Sequence, residues 1–79
     1  MEVKTGDEFY LTSTGQIEIY RLVKIGKGED YDNKKVTKQI IYTFETYRNG
    51  IRTSRPEFSM GKKWFEDLLN RHIWKRVKS

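Results

Sequence analysis

The longest run of alternating apolar and polar residues lies near the middle of the chain, between Val36 and Tyr47. Its apolar residues fall on one side of an extended backbone, at Val36, Ile40, Tyr42 and Phe44. Because successive side chains of a strand point to opposite faces, this repeat predicts a strand with one buried face. The stretch is rich in β-branched and aromatic residues, which favour strands. We therefore expect it to form the centre of the fold.

An Asn-Gly pair at positions 49 and 50 follows this strand. Both residues tolerate positive φ, so the pair predicts a two-residue type I′ hairpin. The turn would place Tyr47 directly opposite Arg52. Pro56 has no N–H group to donate to a neighbouring strand, so the returning strand is expected to end near Arg55.

Three further strands are predicted, at Glu8–Leu11, Ile17–Ile25 and His72–Val77. In the second of them the apolar residues change parity, because Ile17 and Ile19 are odd-numbered whereas Tyr20 and Leu22 are even-numbered. A β-bulge near Tyr20 and Arg21 would switch the faces of the strand and reconcile the two patterns.

The remaining segments predict one loop and one helix. Residues 26–35 are polar and contain two glycines, which is typical of an exposed loop. Residues 59–71 predict a short helix with Ser59 as its N-cap and an end near Asn70. Its apolar stripe falls on about one face, at Trp64, Phe65, Leu68 and Leu69.

Together these elements predict a mainly β protein with one short α-helix before the last strand. Two architectures are compatible with it, a small SH3-like barrel or a strongly bent antiparallel sheet of four to five strands. The chain resembles SH3-like barrels in Gly6–Phe9, Ile17–Ile25, the Asn-Gly hairpin, Trp64–Leu69 and Ile73–Val77. It also resembles the short, lysine-rich, cysteine-free proteins of bacteriophages and mobile elements of low-GC bacteria. That resemblance implies binding to DNA, RNA, a host protein or a signalling nucleotide.

The length of 79 residues predicts a single domain over residues 1–79. The absence of cysteine excludes disulfides and thiolate sites, and a single histidine, His72, excludes a multi-histidine metal cluster. No apolar run approaches the roughly 20 residues of a membrane span, and the first residues do not resemble a secretory signal. We therefore expect a cytoplasmic protein that does not enter a membrane.

The net charge of +5 is unevenly distributed along the chain. Residues 1–32 contain four Lys/Arg and seven Asp/Glu, a net charge of −3. Residues 33–79 contain twelve Lys/Arg and four Asp/Glu, a net charge of +8. A basic half of this kind attracts nucleic acid or an acidic protein surface, although such a charge also serves solubility.

Three groups of residues are candidates for binding an anion, and each has a purely structural alternative. The groups are the hairpin (Tyr47, Arg48, Arg52, Arg55), the helix start (Lys62, Lys63) and the last strand (Trp74, Lys75, Arg76). The cross-strand pair of Tyr47 and Arg52 can stack a base and hold a phosphate, or it can stabilise the hairpin without a ligand. The two lysines at the helix start can bind an anion, or packing can outweigh their unfavourable position. Trp74 is compatible with a core position and with an exposed stacking platform.

Catalysis is not expected, because a nucleophile needs an adjacent base and His72 has no such arrangement around it. No cofactor or metal is predicted. We expect a non-enzymatic module that presents a basic face to an anionic ligand, most simply nucleic acid. The alternative is a phage-type inhibitor or anti-defence protein that docks on a host protein, with Tyr31, Tyr47 or Trp74 as anchors, or that sequesters a nucleotide. A free sheet edge could also support a homodimer.

Overall fold

A computed structural model describes the backbone of residues 3–32 and 35–77, and the side chains of residues 3–29 and 38–77. Within these residues the chain forms β1 (Glu8–Leu11), a 3-10 turn (Gly15–Ile17), β2 (Glu18–Asp32), β3 (Lys35–Arg48), β4 (Ile51–Arg52), β5 (Phe58–Gly61), α1 (Lys62–Asn70) and β6 (Trp74–Arg76). The predicted class is confirmed, since the chain is mainly β and its helix precedes the last strand.

All strand pairings are antiparallel, and the sheet follows the order β4-β3-β2-β1-β6. β5 also pairs with β3, so β3 has β2 on one side and β4 and β5 on the other. Within the described residues the sheet is not closed into a barrel. It nevertheless bends so far that its edge strands meet, because the rings of Phe58 in β5 and Trp74 in β6 are 6.3 Å apart. The bent sheet, with six strands instead of four or five, is therefore the architecture that forms.

One face of the sheet, the inner face, carries an aromatic core. Its buried apolar residues are Phe9, Tyr20, Leu22, Tyr42, Phe44, Phe65 and Trp74. Trp74 stacks on Tyr20 with ring centroids 4.9 Å apart and ring planes within 5°. Phe9 contacts Phe65 edge-on at 5.0 Å. Aromatic side chains bury the most apolar area per residue, which suits a chain too short for a large core.

A bulge in β2 reconciles the two apolar patterns of that strand. Leu22 lies opposite Phe44, whereas Lys24 lies opposite Thr43, so Val23 is one extra residue in the ladder. Before the bulge the even-numbered residues of β2 share the inner face; after it the odd-numbered ones do, as shown by the pair Ile25 and Tyr42. The predicted bulge therefore exists, but it lies two residues beyond the expected position.

The Asn-Gly hairpin forms with the predicted register. Asn49 and Gly50 have φ of 54° and 78°, and Tyr47 pairs with Arg52. β4 ends at Arg52, earlier than the predicted Arg55. Only one further backbone hydrogen bond continues the pairing, from the N–H of Thr53 to the carbonyl of Thr46 at 2.9 Å.

The prediction of an exposed loop over residues 26–35 is wrong for the residues that the structure describes. β2 and β3 continue past the core and pair as far as Asp32 and Lys35. Residues 27–32 and 35–40 form a two-stranded extension, called here the arm, which helps give the molecule its principal dimensions of 40 × 25 × 20 Å. Residues 33 and 34, and the side chains of Tyr31 and Val36, lie outside the described part.

The helix starts later than predicted. Ser59 is in β5, where its hydroxyl lies 2.8 Å from that of Thr43, and Gly61 is the N-cap. Of the predicted apolar stripe, Phe65 is buried and Leu68 and Leu69 are partly buried, whereas Trp64 is 61% exposed.

The helix ends at Asn70, as predicted, and a Schellman motif follows it. In this motif His72 donates its N–H to Leu69 and Ile73 donates its N–H to Leu68, at 3.1 and 3.0 Å. His72 is exposed and has φ of 59°, at the position where glycine is usual.

Candidate anion-binding surface

Every arginine of the chain forms an ion pair with a carboxylate. The pairs are Arg21–Glu8, Arg48–Glu18, Arg52–Glu45, Arg55–Glu18, Arg71–Asp67 and Arg76–Asp7. Exposed ion pairs of this kind contribute only about 0–1 kcal/mol each to stability. Their electrostatic consequence is larger, because a guanidinium that already has a carboxylate partner attracts an external anion less strongly.

The polar face of the Asn-Gly hairpin is one such neutralised network. Tyr47 and Arg52 are opposite each other, as predicted. Glu45 accepts a bond from the Tyr47 hydroxyl at 3.3 Å and pairs with the Arg52 guanidinium at 2.9 Å. The Arg21 guanidinium covers the Tyr47 ring at 4.1 Å from its centroid. One face of the ring is therefore already occupied by a cation of the same chain, which matches the structural alternative for this pair.

Glu18 holds the other two arginines of the hairpin group. Its carboxylate lies 2.9 Å from Arg48 and 3.7 Å from Arg55, and it accepts a hydrogen bond from the Tyr20 hydroxyl. The hydrogen bond from Arg48 and the charge of Arg55 outweigh desolvation and lower the pKa of Glu18. Arg48 and Arg55 thus share one carboxylate at the base of the hairpin.

The last strand divides its three candidates between core and surface. Trp74 is 5% exposed, and its ring lies against Tyr20 and Phe9, so it is not available as a stacking platform. Arg76 pairs with Asp7. Burial would raise the pKa of Asp7, but the Lys4 N–H and the Arg76 guanidinium outweigh it and lower the pKa. Only Lys75 is exposed without an ion pair to a described side chain.

The lysines differ sharply from the arginines. Seven of them lack any ion pair to a described side chain, namely Lys4, Lys24, Lys27, Lys38, Lys62, Lys63 and Lys75. Six of the seven are exposed, and Lys62 is partly exposed. Among the described side chains, the positive charge without a carboxylate partner therefore resides on lysines.

Two of these lysines line one shallow pocket where the arm leaves the core. The pocket has a volume of about 210 Å³ and is lined by Lys27, Lys38, Gln39 and Ile40. Lys27 lies directly opposite Ile40 in the ladder, and Lys38 lies two residues further along the same face. Glu29 is opposite Lys38, but the two side chains do not form an ion pair.

The helix start follows the end of β5, where Gly61 lies close to the Gln39 side chain. Gly61 pairs with Ile41, and a Cβ on Gly61 would come within 2.3 Å of the Gln39 side chain. Lys62 and Lys63 follow Gly61 as the first two residues of α1. The predicted helix-start lysines therefore directly follow a residue that approaches Gln39 in β3, and neither of them lines the pocket.

No motif or turn signal in the sequence marks Lys27, Lys38, Gln39 or Gly61 as binding residues. The available signal was the length of the central strand. A strand of twelve predicted residues needs a partner of similar length to satisfy its backbone groups, and the predicted partner had only nine. If the predicted strand Ile17–Ile25 is lengthened into the glycine-containing segment, Lys27 becomes a strand residue that pairs with the central strand.

Comparison with protein-family models, curated proteins and solved structures finds no match to this chain. Its class is defined by the fold and the surface, as a small bent antiparallel sheet with an extended arm. The described side chains contain no group of three or more His, Asp or Glu residues that could hold a metal ion. Among the described helical residues, none forms a helix long and apolar enough to cross a membrane.

Proposed function

We propose that this protein is a non-enzymatic binding module whose unpaired lysines contact an anionic ligand, most simply nucleic acid. The observation that supports the proposal is the division between the two kinds of cation. Arginines are paired with carboxylates, whereas Lys27 and Lys38 at the base of the arm, and Lys62 and Lys63 at the helix start, form no ion pair with a described side chain.

Lysine contacts to phosphates release condensed counterions, so affinity falls as salt rises. With two to four such contacts, the slope of log K against log salt is expected to be about −1.5 to −3.5. The mode of binding is independent of sequence, because lysines contact the backbone and do not identify bases. The arginines of the predicted hairpin site have no required role in this proposal.

The test is a titration of short fluorescent DNA and RNA strands and duplexes with the purified protein at about 50 to 200 mM salt. Lys38→Gln should weaken binding and reduce the salt slope. Arg52→Gln removes the same charge but breaks an internal pair with Glu45, and it should change the slope little. No binding at low salt, or equal effects of the two substitutions, would contradict the proposal.

A second candidate function is docking on another protein, and it rests on Trp64. This side chain is 61% exposed on α1, one turn from the partly buried Leu68. Exposed tryptophans are frequent energetic centres of protein interfaces. A single stoichiometric partner recovered after nuclease treatment, and lost with Trp64→Ala, would favour this function over nucleic-acid binding.

The other sequence-based expectations stay predictions. They include the resemblance to SH3-like phage proteins, a cytoplasmic location and a homodimer through a sheet edge. Tyr31, one of the proposed anchors for a host protein, has its side chain outside the described part of the chain.

A further inference from the structure

The pocket at the base of the arm combines charge with an apolar surface. Lys27 and Lys38 approach it from neighbouring strands, and Ile40 lies between them on the same face. Long lysine side chains lay their methylene stems along apolar surface and keep the ammonium group in water. The expected result is an aliphatic floor with two positive charges at its rim.

The size of the pocket limits what it can hold. Pockets for drug-sized ligands enclose about 300–1,000 Å³, whereas this one has about 210 Å³ and is open. It therefore has room for one chemical group and not for a whole cofactor. A group held between two ammonium ions must be anionic, and a site too small for a complete ligand is suited to one unit of a polymer.

We infer that this pocket is a phosphate subsite, in which Lys27 and Lys38 bracket one phosphodiester of a nucleic-acid backbone and Ile40 supports the adjoining sugar. The inference rests on the proposed function and adds to it the position and the chemistry of one contact. A free nucleotide carries the same phosphate chemistry, but the small open pocket would hold it only weakly.

One neighbouring carboxylate bears on the inference. Glu29 lies opposite Lys38, on the same face and without an ion pair to it. A carboxylate beside a bound phosphate would oppose its binding, by roughly two- to threefold if the two charges were about 7 Å apart in water. Glu29 would thus set an upper limit on the affinity of the subsite.

The experiment compares two double variants that remove the same charge. Lys27→Gln with Lys38→Gln removes both ammonium groups from the pocket, whereas Arg52→Gln with Arg71→Gln removes two guanidinium groups that are paired with carboxylates and do not line it. For a single-stranded oligonucleotide, loss of the one bracketed phosphate contact should reduce the salt slope by about 0.7. The pocket variant should show this reduction and the control should not.

Substitutions that remove a carboxylate provide the opposite test. Glu29→Gln should raise affinity about two- to threefold, whereas Glu57→Gln, which removes an exposed carboxylate from the segment between β4 and β5, should not. Circular dichroism of all variants verifies that the fold is retained. An unchanged affinity in Glu29→Gln would contradict the inference.

Backbone amide shifts in NMR separate the possible outcomes. Titration with the oligonucleotide should shift residues 27, 38 and 40, and inorganic phosphate or a mononucleotide should shift them only at much higher concentration. If the mononucleotide shifted these signals at the same concentration as the oligonucleotide, the ligand would be a free nucleotide and the inference would be overturned. Oligonucleotide binding that shifts other residues, or that the pocket variant retains, overturns the subsite but leaves the proposed function standing. No oligonucleotide binding at all overturns both.

Discussion

Phe44 and Lys38 lie on the same face of the same strand, yet Phe44 is completely buried and Lys38 is exposed. Between them Tyr42 is buried and Ile40 is partly buried. The alternation along β3 is continuous over these residues, so it does not account for the difference. What differs is the cover, because α1, β5 and β6 contribute Phe65, Phe58 and Trp74 to the core over one half of the hairpin, whereas of the described arm residues Ile40 is partly buried against that core and Lys38 is exposed.

The comparison shows that the alternation of residues along a strand determines which face each side chain lies on. It does not determine how much of that face other elements bury. A two-stranded ribbon alone is only marginally stable in water, so the arm depends on its continuity with the covered half. Charge follows the same division. Arginines with carboxylate partners surround the covered half, and two of the unpaired lysines line the pocket where the arm begins.

The largest expected effect is on the covered half. Phe44→Ala should lower the free energy of unfolding by about 3–5 kcal/mol, because it removes a fully buried ring and leaves a cavity. Lys38→Ala, on the same face, should change it by less than about 0.5 kcal/mol. Urea unfolding followed by circular dichroism measures both. If both variants lost a similar amount of unfolding free energy, the Lys38 side chain would be packed against other residues and not exposed.

A smaller effect is expected at a buried hydroxyl of the covered half. Thr46 is 1% exposed, and its hydroxyl has no hydrogen-bond partner among the described residues. Thr46→Val should therefore stabilise the protein by about 1 kcal/mol, since the methyl group needs no partner. Thr43→Val is the matched control, because it breaks the bond to the Ser59 hydroxyl and should cost about 1 kcal/mol. Thermal melts measure both variants, and a change in melting temperature of the same sign in the two would contradict this distinction.

A third prediction concerns the connection that brings β6 over the core. His72 has a left-handed backbone, which costs a non-glycine residue conformational energy. His72→Gly should be neutral or stabilising by up to about 1 kcal/mol, whereas His72→Val should be clearly destabilising. Chemical denaturation of the pair tests the role of this position. A destabilised glycine variant would mean that the imidazole makes a contribution of its own.

The smallest expected effect is a dependence on pH that belongs to the covered half. The pKa of Asp7 is lowered by the Lys4 N–H and Arg76, and that of Glu18 by Arg48 and Arg55, so their contribution is present above the ordinary carboxyl pKa of about 4. It is lost as the pH falls through the lower folded values. Stability measured from pH 6 to pH 2 should decline less steeply in Asp7→Asn and Glu18→Gln than in the parent. Identical profiles would show that these pairs do not contribute.

Local sequence signals predicted the central strand, the Asn-Gly register and the helix end, because each depends on residues close together in the chain. The pairing of Tyr47 with Arg52 follows directly from the turn. The helix start was placed too early because Ser59 is a good N-cap by type. The pairing of β5 with β3, a long-range contact, takes Ser59 into a strand instead.

The binding surface was harder to predict, because net charge does not reveal which cations are already paired. Arg48 and Arg55 are seven residues apart, yet both reach Glu18, which precedes them by at least thirty residues. Trp74 could not be assigned from alternation alone, since its burial depends on stacking with Tyr20 from a distant strand. Side-chain partners of this kind follow from tertiary structure.

The extra residue at Val23 separates the geometry of the two halves of β2. Leu22 and Lys24 keep partners that are adjacent in β3, so removing Val23 would leave every other pair in place. Bulges bend and twist the strand that contains them. Deletion of Val23 should therefore change the direction of the arm relative to the core without changing the pairing within either part. This one residue would thereby determine the direction in which the lysines of the arm are presented.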